Sequence, residues 1–355
     1  MLVVATPCPL VIAIPVAIIG SISLAAKRGI IIKDPAILEK LSTCRVAIFD
    51  KTGTLTYGKP KLTDILLADG FTKSAVLSLV ASVERYSKHP LSGAILSAAN
   101  DAGTALQDAV EAKEIPGDGM RATINGHTIH VTGRGKLAKV SPELMAALPE
   151  VSAGMECIVL VDGAYAATFR FRDEPRPEGK HFIQHLNPKH QIRRAMLVSG
   201  DREAEVAYVA KQVGITEVFA GQIPEQKLAL VRAETAKAPT VFLGDGINDA
   251  PALTAATVGI AFGYNSEITG EAADAVILDS SLEKVDILLH IGRRMRTIAL
   301  QSAVGGMALS LIGMVLAATG HLSPVAGAVG QEIIDVLAVL NALRAALPPK
   351  ALSDY

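Results

Sequence analysis

Asp50 is the residue whose setting points most directly to chemistry. It ends a short apolar run, Arg45–Asp50, that predicts a buried strand, and the glycine-containing loop Lys51–Thr56 follows it. A carboxylate at the end of a strand, facing a loop of backbone N–H groups, can attack a phosphoryl group and hold it as an acyl phosphate. The plain alternative is a surface aspartate in a turn.

Two later segments repeat the arrangement of a strand that ends in a polar loop. Arg194–Val198 leads into Ser199-Gly200-Asp201, and Thr240–Leu243 leads into Gly244-Asp245-Gly246. Strands that end in polar loops before helices indicate a parallel α/β sheet, with its ligands at the carboxyl edge. The alanine-rich and alternating sequence at roughly 61–170 is then an insertion into that α/β domain.

The heptapeptide that starts at Asp50 resembles the phosphorylation signature of P-type ATPases, a specialised form of the haloacid-dehalogenase phosphotransferase site. In simple phosphatases of that superfamily, the position two residues after the nucleophile is usually a second Asp that acts as general acid and base. Thr52 stands there in this chain. The resemblance therefore implies a phosphoenzyme that hydrolyses slowly, as a pump requires and a phosphatase does not.

The resemblance extends to the other loops and implies roles for their residues. Ser199 stands where the family usually has the threonine of Thr-Gly-Asp, Lys227 matches the lysine that neutralises the phosphoryl charge, and 244–251 matches the Mg²⁺ loop. The segment Asp173–Pro177 matches the family's Asp-x-x-Arg-Pro. The implied catalytic residues are Asp50, Lys51, Thr52, Ser199, Gly200, Asp201, Lys227 and Asn248. The implied Mg²⁺ ligands are Asp50, Thr52, Asp245 and Asp249.

These matches predict the fold class and the domain order. The expected fold is an α/β haloacid-dehalogenase-like phosphorylation domain with an inserted α+β nucleotide-binding domain, plus transmembrane α-helices. The expected bounds are 28–60 and 171–290 for the two parts of the phosphorylation domain, 61–170 for the nucleotide-binding domain, and 1–27, 297–320 and 325–344 for the membrane helices.

The insertion carries residues that resemble the nucleotide motifs of the heavy-metal subgroup of these pumps. Glu84 precedes Ser87-Lys88-His89-Pro90, and Gly117-Asp118-Gly119 follows. By resemblance, His89 helps to hold adenine, Gly117 and Gly119 let the backbone approach it, and ATP is the substrate. A lone His-Pro is otherwise typical of a helix-boundary turn. One departure is Gly133-Arg134, where the family pattern has Gly-Asn.

Charge is distributed as in a membrane protein with large cytoplasmic domains. The 355 residues are 50% apolar with a net charge of −1, and neither Met1–Ala26 nor Thr297–Gly320 holds a charged residue. Each stretch is long enough to cross a bilayer. Basic residues flank the apolar segments, which places the middle region in the cytoplasm and predicts an integral protein in the plasma membrane of a prokaryote, in contact with lipid. The near-neutral balance gives no support for nucleic-acid binding.

The transported ion is expected between the membrane helices. Thr6-Pro7-Cys8-Pro9 resembles the Cys-Pro motif of the heavy-metal subgroup, and prolines free backbone carbonyls around the thiolate of Cys8. Asp335 follows Gln331 by four residues and Glu332 by three, so all three can share one helix face. One thiolate with several oxygen ligands disfavours Cu(I). The resemblance favours nickel, cobalt or iron, with zinc as an alternative.

The expected function is ATP-driven export of a divalent transition metal through an aspartyl phosphate. Compared with the resembled pumps, the sequence corresponds to a C-terminal portion without the actuator domain and the earlier helices, and a separate chain with that half is one expected partner. Two alternatives stay open: a membrane-anchored haloacid-dehalogenase-type phosphatase, and a fragment that binds ATP without transport.

Overall fold

The computed structural model describes residues 8–353 except 116, 152–153, 246, 264–270, 280 and 350–351, and it describes the backbone alone at residues 8, 9 and 247. The chain forms two compact units. The first combines Met1–Leu55 with Arg176–Tyr355, and the second is Thr56–Pro175. The insertion expected at 61–170 lies inside the second unit.

The first unit is built on a seven-stranded sheet. Its order is β1-β13-β12-β11-β2-β9-β10, and the pairs are parallel except for the edge pair β1–β13. Strands β2, β11 and β12 are buried at every position, as their apolar sequences require in a sheet covered on both faces. Numbered along the chain, the strands are β1 Ile30–Ile32, β2 Val46–Asp50, β9 Arg194–Val198, β10 Glu217–Phe219, β11 Thr240–Gly244, β12 Val258–Phe262 and β13 Ala275–Ile277.

Short helices cover this sheet and bring polar side chains to its carboxyl edge. Helix α7 has acidic residues in its first turn, where the helix dipole favours them, and it ends at Gly214 with a φ of +82°. The N-terminus of α8 is closed by Gln226, whose Oε1 accepts a hydrogen bond from the Ile223 N–H at 3.0 Å. These helices are α2 Ile37–Leu41, α6 Gly179–His190, α7 Glu203–Val213, α8 Pro224–Lys237 and α9 Ala250–Ala255.

Three apolar helices complete the first unit: α1 Cys8–Ala26, α10 Leu282–Ala318 and α11 Pro324–Leu343. Among the described residues, two helices are long and apolar enough to cross a membrane, Leu282–Ala318 and Pro324–Ala346, and Leu10–Ala26 is a shorter apolar helix. The spans expected at 297–320 and 325–344 fall in the two long helices. Residues 1–7 of the span expected at 1–27 lie outside the described part.

The 37 residues of α10 have two different environments. Its first part is packed in the core of the unit, where Leu282, Val285 and Leu288 are at most 1% exposed. Beyond Arg296, large apolar side chains point outward, and Val304 and Leu311 are more than half exposed. A helix that changes from a protein core to an apolar outer surface is suited to pass from a cytoplasmic domain into lipid.

The second unit is a six-stranded antiparallel sheet with helices packed on it. The order is β3-β8-β7-β6-β5-β4, and the core contains Phe169 and Phe171. The alternating stretches 122–131 and 157–171 each form a hairpin, because Asn125-Gly126 and Asp162-Gly163 have positive φ and turn the chain. The elements are β3 Lys61–Leu67, α3 Lys73–Glu84, α4 Pro90–Asp101, β4 Val110–Ile115, β5 Gly119–Ile124, β6 His127–Thr132, α5 Arg134–Val140, β7 Met155–Val161 and β8 Ala164–Arg172.

Phe169→Ala should destabilise the second unit by about 3–5 kcal/mol, because it leaves a cavity at a fully buried position. Val110→Ala is the control, since this side chain is 60% exposed and its loss should cost less than about 0.5 kcal/mol. Pulse proteolysis in urea, scored for cleavage inside 56–175, measures both variants. Equal urea midpoints for the two would contradict the assignment of Phe169 to the core.

Candidate active site

Three central strands of the first unit end at one edge, and their ends carry the site. β2 lies between β11 and β9, and all three run parallel. The chain therefore delivers Asp50, Ser199 and Asp245 to neighbouring positions at the carboxyl edge of the sheet. This is the edge at which α/β sheets bind ligands.

Asp50 is held through both of its carboxylate oxygens. The Lys227 ammonium of α8 lies 2.5 Å from Oδ1, and the backbone N–H of Thr52 donates to Oδ2 at 3.0 Å. Lys227 also lies 2.9 Å from Oδ1 of Asp249. Asp50 is 5% exposed and Lys227 is 8% exposed, so the ion pair is shielded from water while one side faces the cavity at the sheet edge.

Three carboxylates meet at this point. Asp50, Asp245 and Asp249 each bring a carboxylate oxygen within 4.8 Å of the others, and the Lys227 ammonium contacts Asp50 and Asp249. Burial, and next the Asp249 carboxylate, raise the pKa of Asp50 to about 7, although Lys227 opposes the shift. Burial would lower the pKa of Lys227, but the two carboxylates outweigh it and raise that pKa.

The donor set fits Mg²⁺. Three carboxylate oxygens converge there, and carboxylate oxygens are the ligands that this hard cation prefers. Asp50, Asp245 and Asp249 would hold the ion. Thr52, the fourth predicted ligand, lines the same cavity with an exposed side chain.

The remaining predicted catalytic residues gather around this cluster. Lys51 is buried, and its Nζ lies 2.6 Å from Oδ2 of Asp201. The Asp201 N–H donates to Oγ of the buried Ser199 at 3.2 Å, which orients the hydroxyl toward the site. A cavity of about 440 Å³ is lined by Asp50, Thr52, Ser199, Gly200, Asp201, Lys227, Asp245, Asn248 and Asp249, together with 221–224.

Two residues outside the predicted list also shape the site. Gly53 has a φ of +72°, and a Cβ there would lie 1.5 Å from Oδ2 of Asp245. The buried Arg176 guanidinium donates to the carbonyl oxygens of Thr54 and Gly53 at 2.9 and 3.1 Å. Arg176 thus fixes the loop after Asp50. In the sequence, Arg176 could have been found from the Asp-x-x-Arg-Pro motif, and Gly53 from the glycine of the phosphorylation signature.

The predicted nucleotide residues belong to the second unit, and three of them surround one cavity. Glu84, His89 and Gly119 line a space of about 140 Å³. Gly119 has a φ of +105°, and a Cβ there would lie 2.0 Å from the carbonyl oxygen of Val131, so this position excludes a side chain. Gly117 has a φ of +75° in the turn that precedes β5.

Polar side chains fix the rim of this cavity. Glu84 is 5% exposed and accepts a hydrogen bond from Ser92, and burial raises its pKa. His89 caps α4, since its Nδ1 accepts the Leu91 N–H at 3.2 Å. Arg134, the departure from the family pattern, forms an ion pair with Glu156. The carboxyl of Glu84 and the imidazole of His89 can form hydrogen bonds with a nucleotide base that carries an amino group.

The predicted ion ligands are partly brought together on α11. Gln331 is buried, its Oε1 accepts from the Ser310 hydroxyl of α10 at 3.0 Å, and its Nε2 donates to Asp335 at 2.9 Å. Glu332 is exposed on the described chain, because adjacent residues lie about 100° apart around a helix. The Cys8 backbone begins α1, and its side chain lies outside the described residues.

The chain is similar to metal-transporting ATPases over nearly its whole length. It is 35% identical over 350 residues to a cadmium, zinc and cobalt-transporting ATPase of Bacillus subtilis, covering 97% of this chain and 49% of the relative. A zinc-transporting ATPase of the same organism is 34% identical over 351 residues, covering 97% of this chain and 54% of the relative. A crystal structure of a zinc-transporting PIB-type ATPase in the E2.Pi state superposes with a TM-score of 0.85 at 32% identity, covering 96% of this chain and 56% of that one.

A parallel sheet with carboxylates at the ends of its strands is an α/β site of the phosphotransferase type. The sequence also matches a family of this type. Residues 44–257 match the haloacid dehalogenase-like hydrolase family, and the chain belongs to that family. The predicted fold class is confirmed, including the similarity to P-type ATPase structures and the two helices able to cross a membrane. The chain spans about half the length of the curated relatives it matches.

Gly53→Ala should weaken binding of Mg²⁺, or of Mn²⁺ as its paramagnetic substitute, by at least about tenfold. The added Cβ would overlap the Asp245 carboxylate and displace that ligand. Gly214→Ala is the matched control, since φ is +82° there but a Cβ meets nothing within 4 Å. Mn²⁺ titration by electron paramagnetic resonance reports the affinity. Unchanged Mn²⁺ binding in Gly53→Ala would contradict the placement of Asp245 against the loop.

Proposed function

We propose that the chain is the catalytic and ion-binding portion of a P-type ATPase that exports a divalent transition metal across the plasma membrane of a prokaryote, with both catalytic units in the cytoplasm. The observation that carries the proposal is the setting of Asp50: a buried carboxylate paired with Lys227, beside two further acids, with Thr52 in place of a second acid. The similarity to metal-transporting ATPases over 97% of the chain supports it.

The first step of the proposed reaction uses Asp50 as nucleophile. A carboxylate oxygen of Asp50 attacks the γ-phosphorus of ATP, the bond from that phosphorus to the bridging oxygen breaks, and ADP leaves. Lys227 faces the attacking oxygen and offsets the charge of the incoming phosphoryl group, and the Ser199 hydroxyl at the same cavity can donate to it. When bound, Mg²⁺ neutralises charge on the phosphates and on the three carboxylates.

Slow hydrolysis of the acyl phosphate follows from the residue at position 52. A phosphatase of this family needs an acid–base side chain two residues after the nucleophile, and a threonine hydroxyl does not ionise near neutral pH. Thr52 instead contacts Asp50 through its backbone N–H. This favours an enzyme that stores the phosphoryl group over the alternative of a membrane-anchored phosphatase.

The second unit supplies the nucleotide site in this proposal. Glu84, His89 and Gly119 line one cavity, and Gly117 in the adjoining turn has a positive φ that suits close approach of backbone to a ligand. ATP is the substrate in this proposal. The bounds 28–60 with 171–290, and 61–170, describe the phosphorylation and nucleotide-binding domains.

The transported ion is proposed to bind among the apolar helices. Cys8 on α1 and the acid and amide groups of Gln331, Glu332 and Asp335 on α11 offer one soft ligand and several hard ones. Acids inside a bilayer need a compensating charge, and a divalent ion supplies it. This set disfavours Cu(I). The preference for nickel, cobalt or iron comes from the resemblance, cobalt also stands in the name of the B. subtilis relative, and zinc is the alternative.

Asp50→Asn should abolish labelling by γ-labelled ATP with Mg²⁺, because an amide cannot form the acyl phosphate. The unsubstituted chain should give an acid-stable phosphoenzyme that hydroxylamine cleaves. Asp69→Asn, at an exposed turn of the second unit, is the control and should label normally. Undiminished labelling of Asp50→Asn would refute the nucleophile.

Cys8→Ala and Glu332→Ala should each abolish metal-dependent phosphorylation by ATP in the membrane-embedded protein, while labelling from inorganic phosphate persists. Both variants remove an ion ligand and leave the Asp50 site intact. Val336→Ala is the control, because this side chain lies one turn after Glu332 and is 56% exposed. Phosphoenzyme formation is measured over a series of Ni²⁺, Co²⁺, Fe²⁺ and Zn²⁺. Unaltered metal dependence in Glu332→Ala would make that acid structural, and strongest activation by Cu(I) would overturn the metal assignment.

A further inference from the structure

Four of the eight histidines of the chain lie together, away from the Asp50 site. His181, His185 and His190 belong to α6, and His290 belongs to the part of α10 that precedes Arg293. His185, His190 and His290 lie against the fully buried side chain of Asp286, and His181 stacks on His185. Neither the nucleophile, the nucleotide residues nor the ion ligands include any of these five.

The ring nitrogens converge on one carboxylate oxygen. Nε2 of His185 and Nε2 of His190 each lie 2.8 Å from Oδ1 of Asp286, and Nε2 of His290 lies 3.5 Å from it. The His185, His190 and Asp286 ligand atoms are all within 4.8 Å of one another. In a tetrahedral zinc-type site with bonds of about 2.0–2.1 Å, neighbouring ligand atoms are roughly 3.3 Å apart. The cluster therefore needs only small shifts to become a coordination shell.

Both ring nitrogens of His185 face acceptor oxygens. Its Nδ1 lies 3.2 Å from the backbone carbonyl oxygen of His181, and a carbonyl only accepts, so Nδ1 carries the proton. In a neutral ring, Nε2 is then a lone pair, and it faces an acceptor oxygen at 2.8 Å. Either a second proton or a metal ion must lie between them. A carbonyl that holds Nδ1–H is also the contact that orients metal-ligating histidines.

We propose that His185, His190 and Asp286 bind a divalent transition-metal ion of the zinc, cobalt or nickel class, with His290 as the fourth ligand. Imidazole and carboxylate suit these borderline ions, and the absence of sulfur from the set disfavours Cu(I). The side chains of His185, His190 and Asp286 are at most 8% exposed, and that of His290 is 27% exposed, so the fourth position is the one open to solvent. This proposal does not depend on the proposed transport function.

Such an ion would connect helices α6 and α10. α6 follows Arg176, which holds the loop after Asp50, and α10 continues toward its exposed apolar part. Metal bound between them would cross-link the catalytic unit to its longest apolar helix. Since the ion binds only the folded arrangement, it should stabilise the first unit by an amount that rises with the logarithm of its concentration above Kd.

The test uses the full chain in detergent with Cys8→Ser and Glu332→Gln, which removes two predicted ligands of the membrane ion, and with Mg²⁺ in excess to occupy the carboxylates near Asp50. Co²⁺ is titrated and followed by its visible absorption and by metal analysis after dialysis. We expect one Co²⁺ per chain with an intense tetrahedral spectrum. Adding His185→Gln and His190→Gln should weaken the affinity for Co²⁺ by roughly 100-fold or more. That exceeds the loss expected when a residue that only orients a metal ligand is replaced.

His127→Gln is the matched control, because His127 also lies against an aspartate, Asp162 at 2.6 Å, but at an exposed position of the second unit. It should leave Co²⁺ binding unchanged. X-ray absorption of the Co²⁺-loaded chain with an intact cluster reads the ligands without any change to them, and it should show imidazole scattering from three rings. No Co²⁺ binding, binding that survives the double glutamine variant, or a spectrum without imidazole scattering would each overturn the proposal.

Discussion

The Lys227 ammonium, shared between the Asp50 and Asp249 carboxylates, is the interaction on which the site depends. A buried carboxylate is costly unless charge compensates it, and here three acids meet one lysine. Burial, and next the Asp249 carboxylate, raise the pKa of Asp50. Three carboxylate oxygens this close together favour a bound cation at the same edge of the sheet. The proposed attack by Asp50 and the proposed Mg²⁺ site thus depend on the same group of acids.

The parallel sheet places several negatively charged side chains close together at its carboxyl edge. Parallel strands β2 and β11 are neighbours, so their last residues stay close together, and the loops that follow must accommodate the carboxylates. Gly53, with a φ of +72°, does so by leaving room for the Asp245 carboxylate. Arg176 fixes the same loop by donating to its carbonyl oxygens. We expect both residues to act through the positions of Asp50 and Asp245.

Local sequence patterns predicted most of the strands and loops that carry the site. They did not predict contacts between residues that are far apart in the sequence. Strand ends at Asp50, Ser199 and Asp245 are visible because short apolar runs stop at polar loops. The distance from Asp245 to Gly53, by contrast, depends on how two loops meet across the sheet. The histidine cluster was missed for the same reason: His185 and Asp286 are 101 residues apart, and His190 follows His185 by five residues, which is not the spacing of one helix face. Roles for Glu332 and Cys8 depend on neighbours that a single helix sequence does not specify.

A continuous series of contacts leads from the nucleophile to the apolar helices. Arg176 binds the loop after Asp50 and stands just before α6, α6 ends at His190 against Asp286, and α10 carries Asp286 in its buried part and Ser310 further along. Ser310 in turn donates to Gln331 of α11. Because α10 is one uninterrupted helix of 37 residues, Asp286 and Ser310 belong to the same secondary-structure element. The proposed metal at the histidine cluster would therefore bind the helix whose apolar part contacts the predicted ion ligand Gln331.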